Sequence, residues 1–464
     1  MYQLSQDTIC GISTPPGTGG IAVIRISGPG TFGAMEEILQ AGKGKKVSVS
    51  ALKPRTLMRV QIMDGDYILD EALLTIFPGP KSFTGEDVAE LSVHGSRYIQ
   101  QQTLMLLQRK GCRIAEPGEF TFRGFMNRKF DLSQAEAIAD LVDSSSATAH
   151  QIAMQQMRGG FSSKIKVLRE HLLDFASLLE LELDFSEEDV EFADRKDLGN
   201  LLQKVRTIVV RLVESFEVGN VIKNGIPVVI AGKPNVGKST LLNALLDEER
   251  AIVSEIPGTT RDTIEDEIVI DGILFRFIDT AGIRQTVDVI ENIGVERTFE
   301  KIKQSSIVIY LFDIHEITAT ELRGILNEIN KHNKNAHLLV VGNKIDKEDE
   351  EYTRNEFKDF PGILFISAKE RKGLDELKGE LVKVFDTRAL QVRETVVTNA
   401  RHVQALRNAL SALEKVNDGL KNNFSGEMIA SDLRLALYHL GTITGEVTTD
   451  DLLQNIFSRF CIGK

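Results

Sequence analysis

The eight residues Gly232–Ser239 restrict the possible fold of this chain more than any other segment. They read GKPNVGKS, matching the pattern G-x-x-x-x-G-K-[ST], and they stand between the apolar run Ile226–Ala231 and a helical run from Thr240 to Leu246. In such a loop the glycines let backbone N–H groups wrap a β-phosphate at the N-terminus of a helix. This strand–loop–helix unit predicts an α/β domain that binds a nucleoside triphosphate.

Three later motifs indicate which base is bound. DTAG at Asp279–Gly282, NKID at Asn343–Asp346 and SAK at Ser367–Lys369 each follow a strand-like run. A carboxylate at Asp346 accepts two hydrogen bonds from guanine N1–H and N2–H₂, whereas adenine would leave the buried acid unpaired. The Ala368 N–H can reach guanine O6. Together and in this order, the motifs predict a guanine nucleotide site.

The same motifs supply groups for the phosphates and for Mg²⁺. Lys238 can neutralise the β and γ oxygens, and Ser239 and Thr260 can ligate Mg²⁺. Asp279 can hold the ion through water, and the Gly282 N–H can meet the γ-phosphate. The motif residues expected to contact GTP are Asn235, Val236, Gly237, Lys238, Ser239, Thr240, Thr259, Thr260, Asp279, Thr280, Ala281, Gly282, Asn343, Lys344, Asp346, Ser367 and Ala368.

One position departs from the familiar signalling GTPases. Those proteins have a glutamine after the DTAG glycine, where it positions the attacking water. Here the residue is Ile283, which cannot do so. Another residue must therefore orient the water, and the transition-state charge must be stabilised by some other arrangement.

The changing pattern of turn residues and hydrophobic periodicity along the chain predicts a multidomain fold of the α+β and α/β classes. Residues 1–120, with short β-like runs and Gly/Pro turns, predict an α+β domain. Residues 121–224 and 386–464 have helical periodicity, for example Ile165, Leu168, Leu172, Phe175, Leu179 and Leu183 on one stripe. Between them, residues 225–385 alternate strands and helices, which predicts a mainly parallel sheet inserted into one helical domain.

Composition limits the remaining possibilities. The net charge of −12 argues against a general nucleic-acid coat, although a local RNA site stays possible. The three cysteines are too few and too scattered for a disulfide framework or a CxxC metal knuckle. No apolar run approaches the ~20 residues that span a bilayer, and no signal peptide is recognisable. We expect a cytoplasmic protein without a membrane segment.

Four other segments resemble one family. The order of the nucleotide motifs resembles the translation-factor class of GTPases. Beyond them, Thr14–Gly28 (TPPGTGGIAVIRISG), Ser82–Leu91 (SFTGEDVAEL), Pro117–Leu141 (PGEFTFRGFMNRKFDLSQAEAIADL) and Phe460–Lys464 (FCIGK) resemble the tRNA-modification GTPase family MnmE, also called TrmE. The resemblance extends over the whole chain, and the terminal motif is specific to that family.

The resemblance implies an activity and partners. It implies a homodimer that works with a flavin-dependent protein, MnmG (GidA), as a heterotetramer. Together they place an aminomethyl or carboxymethylaminomethyl group on the wobble uridine, position 34, of certain tRNAs. The G domains are expected to dimerise around K⁺, with ligands matching Asn235, Ser254, Ile256 and Thr259. The resemblance also adds to the GTP contacts Ser254, Glu255, Ile256, Pro257 and Gly258, and it matches Glu291 to a water-orienting acid.

The resemblance further implies a folate site and a reactive cysteine. Contacts to a tetrahydrofolate derivative (5-formyl or methylene) match Arg25, Glu90, Lys129 and Lys464. By residue type alone, each of these would be a surface salt-bridge residue. Cys461 could be a buried inert thiol or a thiolate that adds to the pyrimidine, its pKa lowered by nearby Lys464. With Glu291 and Lys238, it completes the set of expected catalytic residues.

Two other functions share parts of this sequence. A ribosome-assembly GTPase would have the same G domain, but that class usually adds a basic module with a KH-type G-x-x-G loop, and the last 80 or so residues contain none. A folate-dependent one-carbon enzyme regulated by GTP is the third possibility. Mass spectrometry of tRNA nucleosides from a deletion strain would separate the three.

Overall fold

A computed structural model gives the fold of residues 7–184, 195–249, 265–278, 300–333, 336–347, 356–360, 362–384, 396–422, 424–458, 460 and 463. The chain divides into two compact units. The first comprises Met1–Ala139, Gln156–Leu202 and Ser411–Lys464, and the second Asp140–Gln155 and Gln203–Leu410.

The strands form two sheets. Their bounds are β1 Thr8–Ile12, β2 Ile21–Ser27, β3 Leu39–Ala41, β4 Lys45–Lys46, β5 Met58–Asp64, β6 Tyr67–Phe77, β7 Val88–His94, β8 Cys112–Ile114, β9 Ile226–Ala231, β10 Asp266–Ile270, β11 Ile273–Phe277, β12 Ile307–Asp313, β13 His337–Asn343 and β14 Leu364–Ile366.

The helices occur in both units. Their bounds are α1 Thr31–Ile38, α2 Arg97–Arg109, α3 Glu119–Met126, α4 Leu132–Asp143, α5 Ala147–Met157, α6 Gly160–Asp184, α7 Arg195–Asn224, α8 Lys238–Glu249, α9 Ala319–His332, α10 Leu374–Val384, α11 Ala400–Lys421, α12 Gly426–Thr444 and α13 Asp450–Phe457. Among the described residues, no helix combines the length and apolarity needed to cross a bilayer.

The first sheet lies in the first unit. Its described strands number eight, in the order β4-β3-β5-β6-β7-β2-β1-β8, and neighbours are antiparallel except for β1 and β8. From Ala72 to Phe77 buried side chains alternate with more exposed ones, the pattern of a sheet with one packed face. That face forms a core with Met35 of α1 and Leu107 of α2. These elements give the α+β architecture predicted for the N-terminal part.

Helices α6 and α12 also lie in the first unit, and they pack along each other. The predicted apolar stripe on α6 is buried from Ile165 to Leu179. The Leu183 side chain is outside the described residues. Burying such a stripe stabilises a helix far more than its intrinsic propensity does.

The second sheet lies in the second unit. Its six described strands run β10-β11-β9-β12-β13-β14, parallel except for the β10–β11 hairpin. Every residue of β12 is buried, because parallel strands are covered on both faces. The predicted, mainly parallel α/β sheet is thus confirmed. The antiparallel β10 was not predicted.

Side chains of α4 and α5 contact the second sheet and its neighbouring helix α7. Thr148 of α5 donates a hydrogen bond to the carbonyl of Gly272 at the β10–β11 turn, with Oγ1 and O 2.9 Å apart. Lys223, near the end of α7, pairs with Asp140 of α4 at 2.7 Å. The bond from Thr148 to Gly272 joins residues on both sides of Gly225, where the chain enters β9.

Candidate functional site

The loop between β9 and α8 has the conformation that a phosphate-binding loop requires. Gly237 has φ +100°, and an added Cβ would lie 2.3 Å from Nδ2 of Asn343. Asn235 also adopts a left-handed conformation, with φ +63°. Because α8 begins at Lys238, the loop delivers its backbone to a helix N-terminus, where N–H groups face an anion.

Lys238 lies folded over this loop. Its Nζ donates to the carbonyls of Gly232 at 2.7 Å and Lys233 at 2.8 Å. Burial lowers the pKa of its ammonium group. No carboxylate pairs with Lys238 in the described part of the chain. An ammonium held by neutral carbonyls gains most from a phosphate, which supplies the missing negative charge.

Asn343 joins three segments of the candidate nucleotide site. From the end of β13, its Nδ2 donates to the Val236 carbonyl at 2.8 Å, and its Oδ1 accepts from the Ala368 N–H at 3.0 Å. Its side chain is buried. In the structure, the Ala368 N–H donates to the Asn343 side chain. Its predicted contact with guanine O6 stays a prediction. One amide holds the phosphate loop and the SAK loop in a fixed relation.

Asp346 and Lys344 are held by neighbouring groups. Oγ of Ser367 donates to Oδ1 of Asp346 at 2.6 Å, orienting the carboxylate. Lys344 has φ +75°, and its Nζ lies 2.5 Å from Oδ2 of Asp313, which ends β12. Burial raises the pKa of Asp313, but the hydrogen bonds from Lys344 and the His315 N–H outweigh it and lower that pKa overall. Asp313 is therefore an anion that fixes Lys344.

These side chains share one edge of the second sheet. β9, β12, β13 and β14 are parallel, and the phosphate loop, Asp313, Asn343 and Ser367 all follow their carboxyl ends. Ligands of open α/β sheets bind in the crevice outside this edge. Ser239 and Thr240 start α8 at the same place. Of the predicted magnesium ligands, Ser239 is therefore among the described residues, whereas Thr260 is not.

Several predicted residues cannot be located, since they lie outside the described residues. These are Ser254, Glu255, Ile256, Pro257, Gly258, Thr259, Thr260, Asp279, Thr280, Ala281, Gly282, Glu291, Cys461 and Lys464. Their roles stay predictions.

A second cluster surrounds Arg25 in the first unit. Strands β2 and β7 pair Arg25 with Glu90, and their side chains form an ion pair at 2.9 Å. The Arg25 guanidinium also lies over the rings of Phe83 and Phe120, at 5.4 and 5.7 Å from their centroids. Two of the four residues matched to folate contacts are thus in direct contact. The partly buried Phe83 ring suits stacking of a flat heterocycle, and the paired charges beside it suit hydrogen bonding.

Lys129 lies close to this cluster through an aromatic pair. Its Nζ donates to the Pro80 carbonyl at 2.7 Å. Its neighbour Phe130 packs on Phe83, with ring centroids 5.6 Å apart. The Arg25 guanidinium lies over the Phe83 ring. The residue next to Lys129 in the chain therefore contacts the Arg25 cluster, while the Lys129 side chain itself contacts backbone.

The chain returns to the Arg25 cluster near its end. The Gly463 carbonyl accepts from Ser13 Oγ at 2.9 Å and from Nη1 of Arg25 at 3.4 Å. Gly463 has φ +93°, and an added Cβ would lie 2.0 Å from the Ile12 carbonyl oxygen. Phe460 is buried against Phe457. Residues on both sides of Cys461 and Ile462 are therefore fixed to the first unit.

The other two cysteines differ chemically from what a reactive thiol needs. Cys10 and Cys112 are free and buried on β1 and β8. Burial raises the pKa of Cys10 to about 12 and that of Cys112 to about 11. Both thiols are protonated near neutral pH and are poor nucleophiles.

The sequence patterns did not identify Asp313, Ser13, Phe83 and Phe120 as parts of these sites. Asp313 carried a usable signal, because it ends a strand next to the one that ends at Asn343. The rings and Ser13 had none, since their role depends on contacts between distant segments.

Comparisons with known proteins agree with one another. The family model described as the MnmE helical domain matches residues 132–461, and that of the GTP-binding protein TrmE N-terminus matches residues 8–129. The chain is 56% identical over 460 residues to a tRNA modification GTPase MnmE of Flavobacterium psychrophilum, covering 99% of each chain. The corresponding protein of Flavobacterium johnsoniae is 54% identical over 467 residues, covering 99% of this chain and 100% of the relative.

Among solved structures, Aquifex aeolicus Era is 25% identical, covering 40% of this chain and 66% of its own, with a TM-score of 0.26. That likeness is too weak to extend to the sites described above. The family models and the full-length relatives are decisive. Because one model matches more than half of the chain and relatives above 50% identity cover nearly all of it, the protein belongs to the MnmE family of tRNA modification GTPases.

Proposed function

We propose that this protein binds and hydrolyses GTP and uses the hydrolysis in the modification of tRNA. The observation that carries the proposal is the bridge made by Asn343, which joins the phosphate loop at Val236 to the base-contacting loop at Ala368. Phosphate recognition and base recognition are thereby held at a fixed separation, as a single nucleotide requires.

Guanine selection rests on Asp346. With Ser367 fixing one oxygen, the carboxylate can accept from the N1–H and N2–H₂ groups of the base. The Ala368 N–H reaches O6 when it shares or leaves its bond to Asn343. Adenine lacks that pair of donors, so its binding would leave the carboxylate without hydrogen-bond partners from the base.

The phosphates bind the loop of residues 232–239. Backbone N–H groups at the start of α8 receive the β-phosphate, and Lys238 leaves the Gly232 and Lys233 carbonyls for the β and γ oxygens. A Mg²⁺ ion would supply positive charge that offsets the charge of the phosphate oxygens. Ser239 would hold that ion together with Thr260. Glu291 is proposed to orient the attacking water, because Ile283 cannot.

A potassium ion is proposed to supply the positive charge that an arginine finger supplies to the transition state in other GTPases. Asn235 is exposed on the phosphate loop, and its backbone is in the left-handed conformation. The other proposed ligands are Ser254, Ile256 and Thr259. A cation there would stabilise charge that develops in the transition state, and dimerisation of two G domains would enclose it.

We expect GTP turnover to be several-fold faster in KCl than in NaCl at equal ionic strength. The reason is that a sodium ion, being smaller, fits a ligand set made for potassium poorly. Steady-state phosphate release at saturating GTP in the two salts, with CsCl as a size control, measures this. Equal rates would remove the potassium site from the proposal and leave the GTPase activity standing.

The Arg25 cluster is proposed to bind a tetrahydrofolate derivative. Glu90 suits the donor groups of a pterin, while Lys129 and Lys464 suit the carboxylates of a glutamyl tail. The partly buried Phe83 offers apolar ring surface beside them. A one-carbon unit carried there would serve an aminomethyl or carboxymethylaminomethyl group at C5 of uridine.

The substrate is proposed to be the wobble uridine of certain tRNAs in the cytosol. A homodimer acting with the flavin-dependent MnmG would supply both the carbon donor and the redox chemistry. Nucleoside mass spectrometry of tRNA from a deletion strain, with and without the intact gene, tests this. Loss of a C5-substituted uridine at position 34, restored by the gene, is the expected result. Unchanged nucleosides together with altered ribosome profiles would favour a ribosome-assembly GTPase.

A further inference from the structure

Positive charge is concentrated in one part of the first unit. From Ile38 to Met63 the chain has the basic residues Lys43, Lys45, Lys46, Lys53, Arg55 and Arg59 and no aspartate or glutamate. The whole chain carries a net charge of −12. A cluster of basic residues on one segment is the electrostatic feature that a nucleic-acid contact would use.

Two of these residues form the edge strand β4. Lys45 and Lys46 are both exposed, and β4 is the outermost strand at its side of the sheet, paired with β3. Lysine on an edge strand also discourages pairing with other sheets. That role accounts for β4 alone and leaves the charges beyond it unexplained.

Arg55 lies beside the turn after β6. The Arg55 N–H donates to the Ile76 carbonyl, and its Nη2 donates to the Lys81 carbonyl, both at 3.0 Å. Lys129, from a distant segment, donates to the neighbouring Pro80 carbonyl. Arg55, Lys81 and Lys129 are exposed, and so is Lys53, two residues before Arg55. The contacts of Arg55 and Lys129 with the Lys81 and Pro80 carbonyls therefore bring three segments that carry exposed cationic residues together at one turn.

Few carboxylates offset this charge. Arg59 is paired with Glu71 and is left out of the surface for that reason. Glu86 accepts from Ser27 and is paired with Arg123, and Asp87 accepts from the Gly79 N–H. Within the described residues, the ammonium groups of Lys45, Lys46, Lys53 and Lys81 have no carboxylate partner.

We propose that Lys45, Lys46, Lys53, Arg55 and Lys81, here called the basic surface, bind the phosphate backbone of tRNA. Flexible lysines without carboxylate partners neutralise phosphates and release their counterions, which gives affinity without reading sequence. A protein that must position one nucleotide needs such contacts elsewhere on the tRNA. The inference rests on the proposed function, because it takes tRNA as the substrate.

The test uses the full-length protein and an unmodified tRNA transcript. The quadruple variant K45E/K46E/K53E/K81E changes exposed side chains that belong to neither candidate site. A matched control, K204E/K331E/K358E/K415E, reverses four other exposed lysines and changes the net charge equally. Filter binding between 50 and 200 mM salt gives the affinity and its salt dependence, and GTP turnover of each variant reports on folding.

We expect the basic-surface variant to bind the transcript roughly 10- to 100-fold more weakly at low salt than the control, with a slope of log affinity against log salt smaller by about 3. GTP turnover should match the control. Equal affinities and slopes for the two variants would overturn the basic surface while leaving tRNA as the substrate. Absence of any binding by the unmodified protein, even at 50 mM salt, would overturn both the surface and the proposed substrate.

Discussion

Replacing Asp346 by asparagine is expected to weaken GTP binding by about 100-fold and to let xanthosine triphosphate bind in its place. The carboxylate accepts two hydrogen bonds from guanine, and a bond to a charged group is worth about 1.5–3 kcal/mol. The amide has one acceptor and one donor, so its N–H₂ meets the guanine N2–H₂ group. Xanthine has a carbonyl at that position and pairs with the amide. Titration of both nucleotides with D346N measures the exchange.

Ser367→Ala is the matched control for this result. It removes the bond that orients Asp346, at 2.6 Å, and keeps the carboxylate. We expect GTP affinity to fall several-fold with no gain for xanthosine triphosphate. If D346N bound GTP as tightly as the unmodified protein, Asp346 would not contact the base, and the guanine selectivity would need another source.

Replacing Cys461 by serine is expected to abolish tRNA modification and to leave GTP binding and potassium-stimulated hydrolysis unchanged. A thiolate can add to a pyrimidine ring, whereas a serine hydroxyl, with its far higher pKa, provides almost no anion at neutral pH. No nucleotide motif includes this residue. Modified uridine in tRNA and phosphate release, measured on the same preparation, separate the two activities.

Two further variants show whether the thiol or its placement matters. Cys112→Ala removes a buried thiol of raised pKa, about 11, and should modify tRNA normally. Gly463→Ala keeps Cys461 but sets a Cβ against the Ile12 carbonyl at 2.0 Å, so the end of the chain must leave Arg25. We expect modification to fall with G463A as well. Normal modification by C461S would withdraw the chemical role of Cys461, and loss of both activities would indicate a role in folding.

The nucleotide-binding half of the molecule was largely predictable because its signals are local. The run Ile226–Ala231 is a strand with the same bounds. Continuous apolar runs between helical periods are the mark of a parallel sheet covered on both faces. Strand β10 was missed because Glu265, Asp266 and Glu267 make its start look like a polar loop.

The contacts that complete each site were not predictable. Arg25 and Glu90 face each other because β2 and β7 pair in one register, which is set by the core beneath them. The bonds of Asn343 to Val236 and Ala368 join residues 107 and 25 positions away. A short sequence motif cannot reveal contacts between residues that lie so far apart in the chain. The resemblance to a family supplied Arg25, Glu90 and Lys129 as a set, and the structure supplied their surroundings.

The hydrogen bond from Thr148 to Gly272 has a practical consequence for work on the isolated nucleotide-binding part. A fragment cut at residue 225 would leave Thr148 behind, so the turn at Gly272 would lose its partner. Strand β11 runs from that turn beside β9, whose end leads into the phosphate loop. Rates of GTP hydrolysis measured on such a fragment would therefore come from a sheet with a less constrained β10–β11 turn than in the whole chain.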